Sequence, residues 1–118
     1  MGLVNEILSQ NPEAHVVVLG DLNSFRFTPP LERLELELTH VYDGLDGSSP
    51  AYPTYTYIFE GVAQTLDHIL VSDPLIERMV NVIALPINAD YPMAVEGDMS
   101  PYRTSDHNPL IAIFEFDE

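Results

Sequence analysis

Cysteine and lysine are both absent from this 118-residue chain, and each absence removes a class of chemistry. Without cysteine there is no disulfide, no thiol nucleophile and no thiolate zinc site, although the compartment stays open because secreted proteins can also lack disulfides. Without lysine the cationic side chains reduce to Arg26, Arg33, Arg78 and Arg103, set against 19 acidic residues for a formal charge of −15. Such a field repels nucleic acid and anionic lipid, whose binding is normally driven by Lys and Arg neutralising phosphates. A basic binding patch is therefore excluded. The chain either never meets phosphates or meets them through a divalent cation that reverses the local sign. Most of the acids read as a solubilising surface, which leaves few carboxylates to carry chemistry. Long apolar runs are missing as well. None approaches the roughly 20 residues of a membrane helix, and the start MGLVNEILSQ has neither the cationic region nor the apolar stretch of a signal peptide. No membrane partner is expected. With 46% hydrophobic residues the chain can build a core, as one domain or part of one.

Periodicity places the elements. Leu3, Val4, Ile7 and Leu8 recur at helical spacing and stop at the turn signal NPE, predicting a short amphipathic helix. HVVVLG is a β-branched run long enough for a buried strand and too short for a helix. It feeds the polar loop DLNSFRFTPP and a further helix at PPLERLELEL, for which Thr28 and the prolines supply the start. YTYIFEG, with VAQT after its glycine, and LDHILV are strand-like, the two forming an antiparallel hairpin. SDPLIERM reads as a brief helical turn and VNVIALPI as a strand. Residues Asn88 to Thr104 read as a long surface loop, of the kind that tends to carry function. PLIAIFEF closes the chain as a strand apolar on both faces in its first half, expected in the interior of a sheet.

Three polar punctuations interrupt this pattern: GDLN with Asp21 and Asn23, LDHI with Asp67 and His68, and SDH with Asp106 and His107. An Asp and an Asn after a strand are, taken alone, more often turn formers bonding their own backbone. Asp67 differs, because it lies between Leu66 and Ile69 in an apolar strand, where a carboxylate is costly unless it is paired. His107 is the expected partner. An imidazole held by a carboxylate keeps one tautomer and one orientation, which suits it to proton transfer or phosphate binding. His68 points to the opposite face of the strand and reads as structural.

In that order, VVVLGDLNS, TLDHILVS and YRTSDHNPLIAIF resemble the C-terminal half of the endonuclease/exonuclease/phosphatase superfamily, the divalent-metal phosphodiesterases related to DNase I. YTYIFEGVAQTLDHIL and PINADYP resemble its bacterial extracellular nucleases. The resemblance implies an α/β (α+β) fold: half of a four-layer sandwich, with one mainly antiparallel mixed sheet and helices on one face. It implies that Asp21 orients or deprotonates the attacking water and that Asn23 holds the water or a phosphate oxygen. Asp67 would anchor His107, and His107 would stabilise charge growing on the phosphoryl oxygen. Asp106, with Asp21, would serve a Mg²⁺ ion, or Mn²⁺ or Ca²⁺ in its place. Arg26 and Arg103 flank the motifs and are expected to bridge to local acids.

The same resemblance implies that residues 1–118 form a C-terminal half whose N-terminal half, with the main glutamate ligand of the metal, is absent. The fragment is accordingly expected to be weakly active or inactive alone. Its parent is expected to be an extracellular nuclease acting on nucleic acid. Apolar surface that the missing half would cover is expected to drive self-association, most simply as a homodimer. Two other readings stay open: a phosphomonoesterase or lipid-headgroup phosphodiesterase sharing the phosphate site, and a noncatalytic acidic binding module. The module would scatter the polar residues that an enzyme gathers.

Overall fold

The computed structural model describes residues 2–45 and 53–117. Helix α1 (Gly2–Gln10) precedes strand β1 (Val17–Asp21), helix α2 (Pro29–Leu34) and the two-residue strand β2 (Thr39–His40). A 3₁₀ turn (Val41–Leu45) leads toward β3 (Tyr57–Phe59), β4 (Val62–Gln64) and β5 (Asp67–Val71). Helix α3 (Asp73–Ile76), β6 (Met79–Ala84) and β7 (Leu110–Phe114) complete the order. The class is mixed α/β with antiparallel pairing, as expected. The described strands form three ladders, β1-β5-β2, β3-β4 and β6-β7, rather than a single sheet.

Strand β5 is the centre. It pairs with β1 from Val17↔Val71 to Asp21↔Asp67 and with β2 at Thr39↔Val71 and His40↔Leu70. Its alternation divides two cores. Leu70 joins Val4 of α1, Leu31 and Leu34 of α2, and Leu38. Ile69 and Val71 face the other way and pack with Val41, Leu75 and Val82, against Leu110, Ala112 and Phe114 of β7. A strand buried on both faces reads as a continuous apolar run, so the carboxylate at its start is out of pattern. Ser72 fastens the far end: its hydroxyl donates to the Ala14 carbonyl at 2.7 Å and accepts from Val16 N at 2.9 Å.

Five expectations are corrected. LDHILV does not pair with YTYIFEG; β3 pairs with β4, from Tyr57↔Gln64 to Phe59↔Val62. The physical reason is the turn, where Glu60 and Gly61 have φ of 49° and 80°, the two left-handed residues that close a tight two-residue hairpin. Helix α2 ends at Leu34, and i→i−3 bonds from Leu36 and Glu37 carry the chain on to the buried Leu38. Strand β7 pairs with β6 alone and leaves Ile111 and Ile113 exposed, so it is not interior. Of the apolar stripe on α1, Val4 is buried while Leu3 is exposed. Val17 and Leu19 of β1 are also exposed.

The contrast between neighbouring strands is measurable. Leu70→Ala, at a fully buried position, is expected to cost about 2–5 kcal/mol in urea unfolding. Leu19→Ala, at a residue 65% exposed, is expected to cost less than about 0.5 kcal/mol.

Candidate active site

The end of β1 is shaped to present a carboxylate. Gly20 has φ 147°, a conformation that L side chains rarely adopt. Leu22 N donates to Leu66 O at 3.1 Å, continuing the ladder past Asp21. Asp21 Oδ1 then accepts from Asn23 N at 3.0 Å, and Asn23 sits at φ 49°, a left-handed turn that asparagine tolerates. Asp21 Oδ2 is left facing outward.

Opposite it, Asp67 Oδ2 accepts from His107 Nδ1 at 2.6 Å. A carboxylate offers no proton of its own when ionised, so Nδ1 carries the hydrogen and the ring is fixed with Nε2 free. Nε2 points toward Asp21 Oδ2 at 3.9 Å. That is too long for a hydrogen bond, yet an oxygen about 2.8 Å from each could sit between them. Tyr57 of β3 stacks on the imidazole, with ring centres 4.7 Å apart. A cleft of about 360 Å³ lies here, lined by Leu19, Gly20, Asp67, Ile69, Asn88 and His107 among others.

Each half of the pair is anchored on Thr56, which is fully buried. Its hydroxyl accepts from Leu66 N at 3.1 Å and Asp67 N at 3.2 Å, and its carbonyl accepts from Asn108 N at 2.7 Å. On the opposite face of β5, His68 donates from Nε2 to the Ser24 carbonyl at 2.6 Å, and its Nδ1 lies 2.9 Å from His40 Nε2. His40 Nδ1 in turn accepts from Tyr42 N. Every proton in this chain is thereby assigned, with both rings neutral and protonated at Nε2. Burial, with the charge of Arg26 behind it, pushes His40 down to about 3.

His107 moves the other way. Burial pulls its pKa down, but the Asp67 hydrogen bond and the charges of Asp67, Asp21 and Asp106 together outweigh that and raise it above 6.5.

The structure therefore brings Asp21, Asp67 and His107 together, with ligand atoms all within 4.8 Å of one another. Asn23 lies two residues along the same turn, exposed. Asp106 is exposed and adds its charge to the imidazole's surroundings, but it is outside the three-residue group, where Asp67 stands with Asp21 instead. Asp21 and Asp67 each spend one oxygen on a protein hydrogen bond. Two further carboxylate oxygens, with water completing the shell, fit a hard hydrated cation better than a soft metal. Arg26 bonds Asp43 at 2.8 Å, as expected. Arg103 caps the carbonyls of Asn88 and Ala89 rather than an acid. Thr56, Tyr57, Asn88 and Asn108 escaped the sequence reading; PINADYP and DHNP carried the two asparagines in plain view, in the guise of turn formers.

Residues 3–107 match the model of the Endonuclease/Exonuclease/phosphatase family. A comparison with curated proteins found no match.

The two histidines should titrate in opposite directions. His40, lowered to about 3 in the folded chain, resists protonation while the unfolded chain takes the proton near 6.5. Its contribution is complete above that pH, and stability is lost progressively as pH falls from 6.5 toward 3. His107, raised above 6.5, contributes fully below 6.5 and loses that contribution as pH rises through its folded value. Ring-proton NMR titration should show His40 unmoved at pH 5 and His107 still titrating above 6.5. The reverse order would contradict the geometry.

Proposed function

As a member of the endonuclease/exonuclease/phosphatase family, and so of a superfamily of phosphodiesterase- and phosphatase-type hydrolases that are typically metal-dependent, the chain is one for which we propose a specific reading: metal-dependent hydrolysis of phosphodiesters in nucleic acid. The observation that carries it is the 2.6 Å bond from His107 Nδ1 to Asp67, which leaves Nε2 directed at Asp21 across 3.9 Å.

The chemistry follows from those atoms. Asp21 Oδ2 orients a water for in-line attack on phosphorus, the proton that this water loses reaches the departing alkoxide through solvent, and Asn23 holds that water or a phosphate oxygen. His107, kept cationic to a higher pH by the surrounding carboxylates, donates from Nε2 to a phosphoryl oxygen and stabilises charge as the P–O bond breaks. Asp67 holds the ring in place and in one tautomer. A bound Mg²⁺, or Mn²⁺ or Ca²⁺, would supply neutralisation of the phosphate and polarisation of the P–O bond; Asp21 and Asp67 offer the oxygens for it, with Asp106 close by. Two free carboxylate oxygens make a weak site for a cation that takes six or more, so turnover by this chain alone is slow. The likeness of YTYIFEGVAQTLDHIL and PINADYP to bacterial extracellular nucleases favours a nucleic-acid strand over a lipid headgroup or monoester, and secretion.

Bis(4-nitrophenyl) phosphate, 4-nitrophenyl phosphate and single-stranded DNA separate these readings, assayed with Mg²⁺ or Mn²⁺ from 1 to about 50 mM and again with chelator. The expected result is slow diester cleavage that grows with metal, stops with chelator, exceeds monoester cleavage and falls at least about 100-fold in His107→Ala. Paramagnetic broadening by Mn²⁺ is expected at Asp21 and Asp67 whether or not turnover is measurable. Monoester preference would favour a phosphomonoesterase. No broadening, together with equal rates in His107→Ala, would defeat the proposal.

A further inference from the structure

The segment from Leu85 to Pro109 leaves the β6-β7 ladder and returns to it, and its base is closed by Leu85 N to Pro109 O at 2.9 Å and Arg103 N to Ile87 O at 2.9 Å. Inside that closure lie two buried asparagines, Asn88 at 5% and Asn108 at 2% exposure. Asn108 acts as a staple. Its Oδ1 accepts from Asn88 N at 2.9 Å and Ala89 N at 2.8 Å, and its Nδ2 donates to Asp90 Oδ1 at 3.0 Å. Asp90 Oδ2 accepts in turn from the Tyr55 hydroxyl. These bonds fix the backbone of residues 88–90 against the strand that follows His107.

Asn88 is used differently. Its Nδ2 donates to the His107 carbonyl at 2.8 Å, while its Oδ1 is buried with no hydrogen-bond partner among the described residues. The carbonyl decides the orientation, since a flipped amide would set oxygen against oxygen. A buried acceptor left unpaired is costly. The one bond made and the one acceptor wasted therefore roughly offset each other, and the Asn88 side chain adds little net stability. What it does specifically is hold the peptide of His107, one residue before the Asn108 anchor on Thr56 and directly behind an imidazole that must meet Asp67.

We infer that Asn88 is a positioning residue for His107: its side-chain amide grips the His107 carbonyl and sets the backbone from which the imidazole reaches Asp67 and the cleft. The inference rests on the proposed role of His107 in hydrolysis for its functional meaning, while its geometry stands without that role. Asn88→Ala removes the Nδ2 bond to the His107 carbonyl together with the orphaned oxygen, and keeps the bond to Asn108, which is made by the Asn88 backbone.

The test is proton NMR of the metal-free, substrate-free chain, reading the downfield Nδ1–H resonance of His107 and its ring contacts with Tyr57. Asn88→Ala is expected to change the melting temperature by less than about 4 °C, and to broaden or lose that resonance and weaken the Tyr57 contacts. Asn88→Asp keeps the volume but turns an acceptor toward the carbonyl, and is expected to lose the resonance as well, at a larger cost in melting temperature because a buried carboxylate is left unpaired. Where wild-type diester hydrolysis is measurable, kcat should fall about tenfold with KM within about twofold. A folded variant that keeps the wild-type resonance and contacts overturns the assignment. Unfolding of both variants also overturns it, by making Asn88 structural. Absent hydrolysis together with absent Mn²⁺ broadening in the wild type, with a lost resonance in the variants, would instead sink the functional reading and leave the positioning role standing.

Discussion

The 2.6 Å bond between Asp67 and His107 is the contact on which the rest of the site depends. A carboxylate at the head of a strand buried on both faces is costly unless something answers it. The answering group comes from 40 residues away, across the long excursion that separates β6 from β7. Satisfying Asp67 and orienting His107 are thus one event. Thr56 makes the event reproducible, since one buried residue receives the amide of Asp67 through its hydroxyl and the amide of Asn108 through its carbonyl. The two ends of the pair cannot shift independently without breaking a bond to the same residue.

Adjacent residues of β5 hold the site from opposite faces. Asp67 points to the cleft and orients His107, while His68 points back toward the helices and holds Ser24, in the turn that carries Asp21 and Asn23. The alternation of a strand does this with two consecutive residues. The environments separate the imidazoles chemically. Burial lowers His40 to about 3, and the hydrogen-bond pattern gives each ring of the pair one proton, so that relay is a chain of N–H donors. His107, with carboxylates around it, is biased to the cation. A tether that stayed neutral and a group that readily charges are what a hydrolytic site of this kind requires.

Much of this was legible in the sequence because the signals are local. Short apolar, β-branched runs located β1 and β5, the cost of a carboxylate inside LDHILV demanded a partner for Asp67, and strand geometry alone sent His68 to the other face. What escaped depended on distant or turn-level facts. The partner of β3 is its nearest neighbour because Glu60 and Gly61 both turn left-handed, which an apolar pattern does not reveal. β7 is apolar along its length, yet its membership of a two-stranded ladder leaves alternate residues wet. Asn88 and Asn108 look like ordinary turn residues until the loop closes and buries them 20 residues apart in the chain. Asp106 was drawn toward the metal by its motif, but the backbone there sets it at the exposed rim, and Asp67 stands within the group in its place.

The charge of −15 acquires a local meaning at this site. Asp67, Asp21 and Asp106 all raise the proton affinity of one imidazole, so their field favours any cation placed among them. A proton on His107 and a divalent ion on the free oxygens of Asp21 and Asp67 compensate the same negative charge. Each therefore weakens the other, and thermodynamic linkage makes the weakening reciprocal. Under the proposed function a phosphodiester would reverse the balance, because its own charge is repelled by the bare carboxylates and attracted once both cations are present. The anionic substrate thus favours the doubly cationic state that the empty site resists. On that reading, the acids that repel polyanions elsewhere on this surface make admission of phosphate at this site conditional on the cations gathered there.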